Sequence, residues 1–251
     1  MEDRILSDRD IWMLIAAGHL NLRGANLSGA ALDRANLMGA NLERATLRDA
    51  HLNGASLRGA NLSGIDGARA EMKGANLTDA NLTEAYLDGA LLWGAYLEGA
   101  TLEWAYLAGA FLEWSDLKRA QLTGAYLNGA NLSGADMEGA QLKGANLTGA
   151  YLRGADLTGA HLEWATLEWA FLAGATFTGA SLRGANLTGA DLKGANLSGA
   201  NLAGAILRGA DLTGANLTDA EMDGADLERA ELSDAQISPE QLGQTEQSAG
   251  S

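Results

Sequence analysis

Residues 75–94 read ANLTDANLTEAYLDGALLWG, four five-residue units in one phase, each opening on Ala and carrying Leu two places later. The phase runs outward in both directions. From Leu22 to Ile237 there are 44 positions at intervals of five; 38 are Leu, three are Met, and Phe177, Ile237 and Gly67 complete the set. Ala stands two residues earlier in 41 of the 44 units, the exceptions being Leu20, Ile65 and Ser115. The remaining three places are polar or small, with Gly dominating the last.

A period of five fits neither regular element. On an α-helix five residues advance about 500°, so successive Leu side chains would wander around the whole surface. On a straight strand an odd period sends them to opposite faces. Leu points the same way in every unit only if the chain turns once per unit, which winds it into a β-solenoid with Ala and Leu on the axis. Tyr86, Tyr106 and Tyr126 recur every 20 residues, as do Asn21, Asn41, Asn61 and Asn81. Like residues stack when successive coils align, so four units and four sides per coil are favoured over three.

The units ANLSG, ADLTG, ANLTD and ADLKG resemble the pentapeptide-repeat family, and the resemblance covers residues 20–239. It implies an all-β fold, a right-handed, four-sided parallel β-helix of about 11 coils. At a strand spacing of ~4.8 Å such a rod is about 50 Å long. Each buried Leu contributes roughly 1.5–3 kcal/mol against about 1–2 kcal/mol per ordered residue, so a lone coil is unstable and stacking is obligatory. Gly67 removes one core side chain, and Ile65 in the same unit is expected to refill the space, with a local distortion.

The ends need covers, since unpaired strand edges recruit other chains. Residues 1–19 are expected to form an N-terminal helical cap. Within it, Ser7 is the N-cap, Asp10 the reciprocal partner and Gly18 the stop, with Ile11, Trp12, Leu14 and Ile15 over the first coil. Residues 240–251 are expected to hold a much shorter cap turn, started by Ser238, Pro239 and Gln241, and a disordered tail.

Charge and composition narrow the function. The 251 residues carry a net charge of −15 and no Cys, which excludes disulfides and thiolate metal sites and disfavours nucleic acid and anionic membrane as direct partners. The longest apolar run, residues 11–20, is too short to span a bilayer and follows an acidic stretch rather than a basic leader, so a cytoplasmic location is expected. His19 falls in the cap, His51 in the second coil and His161 in the eighth, so they cannot converge on a metal or a catalytic dyad. Asp116, Asp136 and Asp156 should share one column, and Asp191, Asp211 and Glu231 another, but a straight column supplies too few converging oxygens for a hard cation. No cofactor, metal or catalytic residue is expected, and no enzyme.

The aromatics are the one irregularity. Apart from Trp12, all 13 lie between Tyr86 and Phe177. Phe177 occupies an inward place. Twelve point outward: Tyr86, Trp93, Tyr96, Trp104, Tyr106, Phe111, Trp114, Tyr126, Tyr151, Trp164, Trp169 and Phe171. Two roles compete for them, stacking between coils at ~0.2–1 kcal/mol per pair and anchoring a partner. The first expectation is therefore a non-catalytic scaffold or interaction rod, monomeric or weakly dimeric end to end, that docks an unknown protein through this band. Members of the family that mimic duplex DNA and bind type II topoisomerases supply the alternative. Against it, the charge summed over all coils gathers on no single side, and there are no loop insertions. An idealised or engineered repeat without a natural partner is also compatible with the regularity.

Overall fold

The computed structural model describes residues 7–246. Its body is a β-solenoid in which strand pairing is confined to single residues separated by two-residue turns. Forty parallel bridges join position i to i+20, from Asn21–Asn41 to Asn216–Gln236. They form four columns, starting at Asn21, Asn26, Ala31 and Asn36, so one coil takes 20 residues.

Four backbone hydrogen bonds recur in each unit and explain the period; one runs from the corner residue to the next coil, as Gly129 N–H does to Thr148 O (3.0 Å). Leu127 N–H donates to Asn146 O in the next coil (2.7 Å), Tyr126 N–H to Ala105 O in the previous one (2.9 Å), and Ala130 N–H back to Leu127 O (3.0 Å), closing the turn. The residue before that Ala takes the left-handed conformation, which is why Gly dominates there; Gly129 has φ +65°. Ala and Leu of each unit from Ala30 to Ala225 are buried, and Phe177 lies on the axis with 0% exposure. Ser115 replaces one axial Ala without an orphaned hydroxyl, since its Oγ donates to Leu112 O at 2.7 Å.

Gly67 departs from expectation. The ladder continues through it, with Gly67 N–H donating to Tyr86 O at 2.7 Å. A Cβ there would meet Leu87 Cδ2 at 3.0 Å and Ile65 Cδ1 at 3.3 Å, so these two side chains fill the gap. Ile65 refills the core as expected. The expected distortion shrinks to a stretched Ile65 N–H to Leu62 O bond of 3.3 Å.

Helix α1 (Asp8–Ala16) covers the first coil. Ser7 and Asp10 form the reciprocal capping box, and Gly18 follows with φ +75°. Ile11 is fully buried, and Leu14 and Ile15 pack partly against the core. Trp12 sits at the rim and is 40% exposed. Its Nε1 donates to Ala31 O (2.9 Å), and Asp8 Oδ1 accepts from Ala31 N–H (3.1 Å), so two side chains satisfy the edge residue that has no coil beneath it.

The second helix is longer than the sequence predicts. Helix α2 (Pro239–Glu246) has 8 residues against 9 in α1. Ser238 and Gln241 cap it reciprocally: Ser238 N–H donates to Gln241 Oε1 (2.8 Å), and Gln241 N–H to Ser238 Oγ (3.2 Å). Gln241 Nε2 also donates to Leu217 O (2.7 Å) and Ala220 O (2.9 Å), a task that fixes the helix against the last coil. The expected disordered tail lies outside the described residues. Among those residues, no helix is long and apolar enough to cross a membrane.

Candidate interaction surface

All twelve outward aromatics are exposed, from 36% at Tyr106 to 69% at Trp114. The solenoid distributes them by position in the unit. Residues immediately before Leu occupy flat sides, where coils stack. Tyr86, Tyr106 and Tyr126 form one ladder, with ring centroids 4.8 and 4.9 Å apart and planes within 7°. Tyr151 and Phe171 stack at 4.7 Å on the next side, in the column that also holds Leu91 and Phe111. Tyr96 stands in the fourth column, bridged to Asp116.

The tryptophans occupy corners. Trp104, Trp114, Trp164 and Trp169 each adopt φ between 56° and 60°, a conformation normally left to Gly. The residue one coil further on explains the exception. A Cβ at Gly124, Gly134, Gly184 or Gly189 would collide with the six-membered ring of Trp104, Trp114, Trp164 or Trp169 respectively. Each indole thus lies over a glycine that leaves room for it. Long aliphatic stems do the same elsewhere: Arg34 Cγ lies 3.6 Å from where a Cβ of Gly54 would be, and Arg119 Cγ 3.6 Å from that of Gly139. The left-handed penalty of roughly 1–2 kcal/mol and the packing of one indole side on backbone are of similar size, so these Trp are close to neutral for the fold. Their other sides remain in water; Trp104 is 51% exposed. Stacking between coils and an exposed surface are therefore properties of the same rings, which the sequence presented as competing readings.

Charge is uneven around this band. Between Lys73 and Lys118 the chain has seven carboxylates and no Lys, Arg or His. Sums by side spread this block thinly over four faces and conceal it; a running sum along the chain reveals it. The carboxylate columns are also in place, with Asp116 bridged to Asp136 and Asp136 to Asp156. The chain supplies its own cations to them. Lys118 Nζ lies 2.7 Å from Asp136, and Lys193 Nζ lies 2.8 Å from Asp211, holding the Asp211 carboxyl down at about 2 with help from Thr213. Among the described residues, no group of three His, Cys, Asp or Glu is placed to hold a metal. His19, His51 and His161 are all exposed, with His51 beside Glu71 (3.5 Å) and His161 beside Glu163 (3.4 Å). A hollow of about 810 Å³ lies at the other end of the described rod from helix α2, between α1 and the first coils, lined by Leu14, His19, Leu20, Leu22 and Arg23.

Comparison with known proteins agrees with this geometry. The model of the family described as pentapeptide repeats matches in 8 copies, over residues 19–54, 45–83, 85–124, 95–134, 120–159, 160–199 and 195–234. Among solved structures, the chain is similar to HetL, a pentapeptide repeat protein involved in heterocyst differentiation regulation from the cyanobacterium Nostoc sp. strain PCC 7120. The two are 34% identical over 92% of this chain and 96% of HetL, with a TM-score of 0.60. A trypsin-treated form of QnrB1, a plasmid-mediated fluoroquinolone resistance protein, shares the fold at 21% identity over 78% of this chain and 97% of its own, with a TM-score of 0.65. No curated protein matches the sequence. With the unit A-[N/D]-L-x-x repeated in one phase, a 20-residue coil built from it, and a family model that spans most of the sequence, the chain belongs to the pentapeptide-repeat family.

Proposed function

We propose that this protein is a non-catalytic, right-handed rod of 11 coils that docks another protein through the outward aromatics of its central coils. One observation carries the reading: every exposed aromatic of the solenoid lies between Tyr86 and Phe171, and the coils toward either end have none. Rings needed only for stacking would be of equal use in any coil. Large exposed apolar patches and clustered Trp and Tyr are marks of partner surfaces. The rod is monomeric, with at most weak end-to-end pairing through the last coil, where Leu227, Leu232 and Ile237 are only partly covered.

Capture from a lysate of the source organism tests this, comparing the intact rod with a Trp104→Arg, Trp114→Arg variant. Arg is the chain's own alternative at such corners and keeps the packing over Gly. A partner held by the first rod and lost by the second, at unchanged melting temperature, is expected; the same proteins on both rods would contradict the reading. The acidic mimic of DNA ranks second. It draws on the net charge of −15, but that charge lies in blocks along the axis and not in a continuous stripe.

A further inference from the structure

We infer that the partner's docking segment is cationic and rich in arginine, and that it binds the Tyr86–Tyr106–Tyr126 side with its flanking corners. The inference rests on the docking role proposed above and adds the chemistry of what docks. The corner leading into the tyrosine side carries Glu84 and, one coil on, Glu103 and Trp104; Glu84 N–H donates to Glu103 O at 2.9 Å, which sets the two corners side by side. The corner leading out of that side carries Asp88. Other carboxylates of the block are already engaged: Asp79 with Arg58 (3.8 Å), Glu98 with Arg119, and Glu113 with Asn131 (2.7 Å). Among the described residues, no ion pair or hydrogen bond reaches the side chains of Glu84, Asp88 or Glu103.

The exposed aromatic side is thus framed by three carboxylates with no counterion among the described residues, and the only charge that complements it is positive. The aromatics select among cations. A guanidinium is planar and weakly hydrated, stacks on the outward side of an indole, and has donors left over for carboxylates and tyrosine hydroxyls; an ammonium is compact and strongly hydrated. The upper aromatic cluster lacks this bias, since Arg153 and Arg183 stand among the carboxylates around Tyr151, Trp164 and Phe171.

Two labelled probes test the assignment at 0.15 M salt, a nine-residue oligo-arginine and an oligo-lysine of equal length, with binding followed by fluorescence polarisation. The intact rod should bind the arginine peptide several-fold more tightly than the lysine peptide. Glu84→Gln, Asp88→Asn and Glu103→Gln together should weaken it at least tenfold, as should Trp104→Arg alone. Removing three charges from the acidic C-terminal end, by Asp223→Asn, Asp234→Asn and Glu240→Gln, should change it less than twofold. Equal losses from the two charge sets would show a generic polyanion and overturn the inference. So would equal affinity for the two peptides, or a rod that binds neither and pairs with a second copy instead. If neither peptide binds while lysate capture still depends on Trp104 and Trp114, the docking role stands and the cationic partner falls. Melting temperatures of all variants within a few degrees of the parent identify each loss as one of binding.

Discussion

At the scale of single residues, direction relative to the axis decides everything. Leu127 is buried on the axis and Asn131 faces out in the next unit. Leu127→Asp should prevent folding or split the rod, because an unpaired carboxylate in a dry core has no partner to offset its desolvation. Asn131→Asp keeps the bond accepted from Ser133 but sets a carboxylate against Glu113 in place of the Nδ2 donor, and should cost about 1–2 kcal/mol without preventing folding. Urea melts of the two variants would compare them directly. The corner tryptophans yield a finer prediction. Gly124→Ala and Gly129→Ala both force a side chain to positive φ, at roughly 1–2 kcal/mol. Only the first also strikes a ring, that of Trp104. It should therefore cost at least ~1 kcal/mol more, and the excess should disappear when Trp104 is changed to Gln, in a double-mutant cycle. The inward and outward assignment of all 13 solenoid aromatics was legible in the sequence, because the repeat fixes it. The pairing of each corner Trp with a Gly 20 residues on was also present there, but reads as chance until coils are stacked.

At the scale of elements, the sides of the coil and the two caps hold by different means. Corner cations reach the outward residue 18 positions on, as Lys118 does to Asp136 and Lys193 to Asp211. Asp211 has its pKa lowered to about 2 by Lys193 and Thr213. A depressed carboxylate stabilises the fold above its unfolded pKa of about 3.9, and that contribution is lost as pH falls toward 2. Lys193→Met should thus be less stable than the parent at pH 5 and indistinguishable from it near pH 2, as read from denaturant midpoints at each pH. A gap that persists at pH 2 would mean Lys193 acts through packing alone. The caps follow hydrogen-bond logic. Gln241→Leu would leave Ala220 O without its donor and Leu217 O with only Ala220 N–H, and should cost about 1–3 kcal/mol. Helix α1 was legible from its capping box and apolar spacing. The full length of α2 was not, since Gly243 lowers helix propensity and the bonds that hold it come from a coil 21 and 24 residues back. Trp12, expected over the first coil, bonds there to Ala31 O and stays 40% exposed.

At the scale of the whole molecule, a period-five sequence becomes a rod because each coil lends its neighbour backbone bonds and a shared core. Among the described residues the two helices hold 9 and 8 residues, so far-UV circular dichroism should show β and turn signal with under ~15% helix. The same stacking turns positions 20 apart into neighbours and so creates the tyrosine ladder, the corner indoles and the carboxylates that frame them. Coil length is therefore the premise on which the proposed docking face depends. The absence of Cys makes it directly measurable by introduced thiols. Asn146 is bridged to Thr166 across one coil boundary, whereas His161 lies 15 residues from Asn146 on a different side. With adjacent strands ~4.8 Å apart, a pair of Cys at 146 and 166 falls within disulfide reach. Under mild oxidation, Asn146→Cys with Thr166→Cys should cross-link within the monomer, while Asn146→Cys with His161→Cys should not. Cross-linking of the second pair in preference to the first would mean a three-sided coil of 15 residues, which would scatter the tyrosine ladder and contradict the account.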